Sequence, residues 1–133
     1  MMVERLRDAI NAHDIDAFTA CFAPGYRSDQ PAHPARAFLG AEQVRRNWST
    51  FFREIPDLRA ELIGSSAHDG VEWGEWHWAG TRLDGEPFAM RGVTVMGIVQ
   101  DRVSWGRLYM EEVERSGEDI DRVVRGLTGA GEG

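Results

Sequence analysis

The sequence predicts an α+β domain in which a curved antiparallel sheet wraps, as a cone, around N-terminal helices. Three observations carry this. Apolar residues recur at helical spacing up to Ile55, and the signal then changes to strands. From Leu58 onward the chain divides into four long stretches separated by turn chemistry. Gly64, Gly74, Gly80, Gly92, Gly97 and Gly106 interrupt those stretches, which favours bulges and strong curvature.

Val3, Leu6 and Ile10 fall on one helical face, so residues 2–12 form an amphipathic first helix. Asp14 caps a second, short helix through Phe18, Cys21 and Phe22, stopped by Pro24-Gly25. Cys21 belongs to that apolar stripe and is read as a packing residue. Tyr26 to Gln30 is a short polar strand, followed by a loop holding Pro31 and Pro34. Gly40 precedes a third helix, whose Val44, Trp48, Phe51 and Ile55 lie at i, i+4, i+7 and i+11. Phe52 widens that stripe and Pro56-Asp57 ends it. Asp69-Gly70 and Asp84-Gly85 are hairpin signals and Gln100-Asp101 marks a further turn. The strands therefore run over 58–68, 71–82, 87–99 and 102–114 as an antiparallel meander. A last helix follows from Gly117 to Leu127, with Ile120, Val123, Val124 and Leu127 as its apolar face. Residues 1–128 read as one domain without repeats, and 129–133 as a disordered tail. Helices followed by a long curved meander sit on its concave side and leave a conical hollow.

With 133 residues, 42% hydrophobic and 28% charged, the chain is a globular single domain. A net charge of -7 argues against nucleic acid, whose phosphates would be repelled. No apolar run approaches a membrane span, and the N-terminal MMVERLRDAI lacks the apolar centre of a signal peptide. With Cys21 alone no internal disulfide forms, which fits a reducing cytoplasm. A lone cysteine and the scattered His13, His33 and His68 show no ligand spacing, so no metal site is expected. Nucleophile-elbow, phosphate-loop and dinucleotide motifs are absent from the sequence.

Several stretches, in order, carry a resemblance: Phe22-Ala23-Pro24, Gly40, Ile55-Pro56-Asp57-Leu58, Trp76 to Thr81 (WHWAGT), Arg91 to Val95 (RGVTV) and Arg107 to Glu111 (RLYME). Over residues 3 to 114 the chain resembles the SnoaL-like polyketide cyclase family of the nuclear transport factor 2-like superfamily. The resemblance implies a cystatin-like cone, no metal or organic cofactor, and a homodimer packed through the sheet. That fold hosts cyclases, isomerases, dehydratases, epoxide hydrolases and non-catalytic binders, so it does not specify an activity.

Which residues share the hollow depends on turn length. A two-residue turn at Asp84-Gly85 places Glu75 and His77 beside Met90, Gly92 and Thr94, with Arg107, Tyr109 and Glu111 joining from the last strand. A three-residue loop, Leu83-Asp84-Gly85, instead places them with Arg91, Val93, Leu108 and Met110. The second face is mostly apolar with a few ionisable groups, as ligand sites generally are. In the epoxide hydrolase branch two cavity-facing polar residues match Glu75 and His77, and a first-strand asparagine matches Asp29. That branch has arginine and aspartate at the two former positions, and its catalytic aspartate falls on Leu108. The first-helix tyrosine of the ketosteroid isomerase branch has no match in residues 2–12, and no aspartate in these strands directly fills the cyclase branch's acid–base role. The expected site is thus His77 transferring a proton, Asp29 or Glu75 orienting it or acting as a second base, and Arg91 holding a developing enolate or a substrate carbonyl oxygen. Trp48, Phe51, Leu108, Met110 and, in the rival register, Tyr109 would contact the substrate. The expected reaction is cofactor-independent lyase, isomerase or cyclase chemistry on a small apolar carbonyl compound. The alternative is a non-catalytic pocket for a hydrophobic ligand, or a dimerisation module.

Overall fold

The structure, a computed structural model, describes residues 1–131. Helix α1 (Met2–Asn11) buries Val3, Leu6 and Ile10, the face its periodicity marked. Both of its ends are tied to the sheet. The Glu72 carboxylate accepts from the Met2 and Val3 N–H groups at 3.1 and 3.0 Å, where the helix terminus is positive. At the other end the Asn11 amide donates to Ala60 O at 3.0 Å and accepts from Ala60 N–H at 2.7 Å. Helix α2 (Ile15–Ala20) is capped by Asp14, whose side chain accepts from the Ala17 N–H at 3.0 Å.

Pro24-Gly25 does not stop that helix. Strand β1 (Phe22–Asp29) begins before it, and the pair lies within a register shift between Phe22 and Arg27. An irregularity of this kind is a place where a strand tolerates proline. Beyond a single 3-10 turn over Pro34–Arg36, the two-residue strand β2 (Phe38–Leu39) forms in what the sequence read as loop. Gly40, at φ 101, turns the chain in a region other residues resist, and its N–H donates to Tyr26 O at 2.7 Å. Helix α3 (Ala41–Glu54) follows, then β3 (Arg59–His68), β4 (Val71–Thr81), β5 (Pro87–Val99) and β6 (Arg102–Glu112).

The sheet order is β2-β1-β6-β5-β4-β3. The last four strands are the antiparallel meander, but β1 runs parallel to β6, so the sheet is mixed. Asp69-Gly70 and Gln100-Asp101 form two-residue turns with all four φ angles positive. The β4–β5 connection is the three-residue loop Leu83-Asp84-Gly85, closed by Arg82 N–H donating to Glu86 O at 2.9 Å, with Gly85 at φ 86. His77 consequently faces Arg91, and Glu75 faces Val93.

A bulge then changes the next pairing. Ile98 faces Val103 but Gly97 faces Trp105, so Ser104 is an extra residue on β6. Beyond it Arg91 faces Glu111, Val93 faces Tyr109 and Thr94 faces Leu108. The expectation that Leu108 and Met110 share a face with His77 is thereby corrected: one unpaired residue turns the rest of β6 over.

Helix α4 (Ile120–Thr128) starts later than Gly117 because Asp119 caps it, accepting from the Arg122 N–H at 3.0 Å. Its stripe of Ile120, Val123, Val124 and Leu127 is exposed. The tail expected over 129–133 begins with Gly129 in the left-handed region and ends, at 132–133, outside the described residues. The core fills the space between α1–α3 and the concave face, around the fully buried Leu6, Ile10, Leu58, Trp76 and Val103. Among the described residues no helix is long and apolar enough to cross a membrane.

Candidate functional site

The core is not completely filled. Between the concave sheet and the helices lies a cavity of about 280 Å³. Strand alternation decides what lines it. β4 turns Trp76 and Trp78 inward, β5 Met90, Thr94 and Met96, and β6 Leu108 and Met110. β1 contributes Tyr26 and Ser28, Gln30 follows directly after it, and α3 supplies Val44, Asn47, Trp48 and Phe51 from the opposite wall. Trp48 packs edge-on against Trp78 at 5.1 Å and tilted against Phe51 at 5.1 Å, joining α3 to the sheet through aromatic contact.

The polar groups of the lining are few and mostly neutral. Thr94 Oγ1 accepts from the Trp76 indole N–H at 2.9 Å in a fully buried bond. The Trp78 indole N–H is buried without a partner among the described residues. Burial pushes the Tyr26 phenol above its ordinary value; the neighbouring Ser28 hydroxyl opposes this and the Asp29 charge adds to it. Tyr26 therefore stays a neutral hydroxyl and cannot serve as a base near neutral pH. Among the described residues, Arg36 carries the one charge in the lining. Its loop is fixed at its start by His33, whose Nε2 lies 2.7 Å from Glu111 Oε1 on β6.

Trp48, Phe51, Leu108 and Met110, the expected substrate contacts, line the cavity. His77, Glu75, Arg91 and Tyr109 do not. They alternate with inward residues and project from the convex face, where Tyr109 is 45% exposed. His77 Nδ1 lies 3.7 Å from Glu61 Oε1, across the β3–β4 pair. Asp29 also points outward and is held by Arg27 at 2.9 Å. β6 and β5 separate β1 from β4, about 14 Å across the sheet, and Asp29 aligns with Trp73, four residues along β4 from His77, so it cannot orient His77. The expected acid–base set is therefore not assembled in the hollow. Among the described residues, no three His, Cys, Asp or Glu side chains are grouped as a metal site would need.

Sequence reasoning missed Tyr26, Ser28, Gln30 and Asn47, and with them Arg36. The alternation Tyr26, Ser28, Gln30 was visible, but Asp29 drew attention to the opposite parity. In sequence Trp73, Trp76 and Trp78 fall on both faces of one strand, and Trp76 and Trp78 are the two that line the cavity.

The profile of the SnoaL-like domain matches residues 3–106. A search of curated proteins finds no match. Among solved structures, the chain is similar to AclR, a proposed hydroxylase from Streptomyces galilaeus: 14% identity, TM-score 0.71, 86% of this chain and 87% of that one covered. It is similar to a proposed SnoaL-like polyketide cyclase from Jannaschia sp. CCS1: 21% identity, TM-score 0.68, 93% and 87% covered. A third similarity is to a protein of ketosteroid isomerase-like fold from Catenulispora acidiphila DSM 44928: 15% identity, TM-score 0.69, 80% and 82% covered. At these identities the structures speak for the fold, and the profile match, which spans most of the chain, assigns it: this protein belongs to the SnoaL-like domain family.

Proposed function

We propose that the protein binds a small, largely apolar molecule in the cavity between α3 and the concave sheet. One observation carries this reading. The lining is aromatic, aliphatic and methionine-rich, with hydroxyls, amides and a single guanidinium, but no carboxylate, imidazole or thiol among the described residues. Such a wall favours burial of apolar ligand surface, at roughly 25 cal/mol per Å². It supplies no group able to abstract a proton near neutral pH. Acid–base turnover through His77, Glu75 and Asp29 is disfavoured by their place outside the cavity, so binding without turnover is the reading retained.

The partner most consistent with the convex face is a second copy of this chain. Trp73 and Tyr109 are partly exposed there around Val93, and Glu75, Arg91, Arg107 and Glu111 surround them with both signs of charge. That mixture is self-complementary under two-fold rotation.

The direct test of the cavity is titration with N-phenyl-1-naphthylamine, whose fluorescence rises in apolar surroundings. Leu108→Trp fills the hollow and is expected to weaken the probe by about tenfold or more while the chain stays folded. Absence of probe binding by the unaltered chain, or equal binding by Leu108→Trp, rejects the reading.

A further inference from the structure

The hydrogen-bond pattern at the cavity wall specifies the ligand further. Arginine can only donate, and this fixes the amides around it. Arg36 Nη1 donates to the Gln30 side chain at 3.1 Å, so the atom it meets is the oxygen and the Gln30 NH₂ points elsewhere. A second chain of bonds fixes Asn47. Arg46 Nη2 donates to Gln43 Oε1, which directs the Gln43 NH₂ to Asn47 Oδ1 at 2.7 Å. Asn47 is left presenting its own NH₂. Neither the Gln30 nor the Asn47 amide nitrogen donates a hydrogen bond among the described residues, although both side chains line the cavity.

Three polar side chains of the lining, Gln30, Arg36 and Asn47, thus have their acceptor oxygens engaged or none at all. What remains is N–H donors and one positive charge. Arg36 forms no ion pair with a carboxylate among the described residues, and no carboxylate lines the cavity. It is also positioned: Gln30 holds the guanidinium, and the 3-10 turn that carries it follows His33, which is tied to Glu111. These three side chains offer donors and a positive charge, while the Tyr26 and Ser28 hydroxyls beside them can donate or accept, so the wall accommodates an anion.

We propose that the ligand is an apolar carboxylic acid, its carboxylate met by the Arg36 guanidinium and the free amide N–H groups of Gln30 and Asn47. This rests on the cavity being the binding site. The hydrocarbon or aromatic body lies among Trp48, Phe51, Met90 and Met110, and the carboxylate stays toward Arg36. The overall charge of -7 does not oppose it strongly, because exposed charges beyond about 8 Å are screened at physiological salt.

The test compares 2-naphthoic acid with its primary amide and its methyl ester by titration calorimetry at neutral pH, on the unaltered chain and on Arg36→Gln. N-phenyl-1-naphthylamine serves as a neutral probe of the cavity itself. The acid is expected to bind about tenfold tighter than either neutral analogue, the scale of one charge-assisted contact. Arg36→Gln should erase that preference, bringing the acid down to the affinity of the amide and the ester. Equal binding of acid, amide and ester, or an acid preference that survives Arg36→Gln, overturns the carboxylate proposal while probe binding keeps the cavity reading. If the neutral probe also fails to bind the unaltered chain, the cavity reading falls and the proposal with it.

Discussion

The two faces of this sheet are built from alternate residues of the same strands, yet they have opposite chemistry. Across β4, β5 and β6 the concave face reads Trp76–Gly92–Met110 in one row and Gly74–Thr94–Leu108 in the next. The convex face reads His77–Arg91–Glu111 and Glu75–Val93–Tyr109. Nearly every titratable side chain of the meander thus lies outside the cone, and nearly every large buried one inside. Residue type alone draws the eye to the convex rows, because imidazole and carboxylate suggest catalysis. Shape points the other way, since the cavity lies behind the tryptophans. A side chain's chemistry identifies a site only when it shares the face that encloses a ligand.

The largest expected asymmetry is in stability. Trp76 is 1% exposed, bonds Thr94 through its indole and meets Trp78 at 6.2 Å. Trp76→Ala removes the largest fully buried side chain and orphans the Thr94 hydroxyl, so it should destabilise the fold by about 3–5 kcal/mol in urea or guanidinium denaturation. Its neighbour one residue away is far more exposed, and a comparable loss for a convex-face truncation would break the contrast.

An intermediate effect is expected on assembly. Tyr109 lies centrally in the convex face, and its exposed ring costs the isolated chain little to lose. Tyr109→Asp should leave thermal unfolding nearly unchanged but weaken self-association by about 30-fold or more, the scale of one hot-spot side chain. Light scattering after size exclusion reads this directly. A monomeric unaltered chain at high micromolar concentration would remove the second copy from the convex face.

The helices, the meander and the cone were legible because each rests on local signals: periodicity for α1 and α3, Asp-Gly turns, an aspartate cap for α2. The three-residue loop at Leu83-Asp84-Gly85 was one of two readings, and closure by Arg82 and Glu86 selected it. The site was harder to read for a specific reason. The bulge at Ser104 reverses every later side chain of β6, and nothing local to Ser104 announces it. The parallel pairing of β1 with β6 joins residues far apart in sequence, so it has no local signal either. Leu108 and Met110 line the cavity, on the face opposite the histidine with which the sequence groups them. Asn47 was invisible because its importance comes from which end of an amide is already engaged, and that is set by Gln43 and Arg46.

The smallest effect is the one expected of His77. Its ring is half-buried on the convex face, faces Arg91, and has Glu61 as its nearest charged partner at 3.7 Å. To act on a bound ligand it would have to work through the thickness of the sheet, because Trp76 and Trp78, not His77, form the cavity wall on β4. A proton cannot pass between those faces without a chain of donors, and the indoles flanking His77 donate only. His77→Ala should therefore leave N-phenyl-1-naphthylamine affinity within about twofold and stability within about 0.5–1 kcal/mol. Loss of ligand binding in this variant, with the fold intact by circular dichroism, would mean that the convex face takes part in the site. Retained binding beside the collapse expected of Trp76→Ala would make two adjacent residues on one strand the sharpest measure of how differently its faces are used.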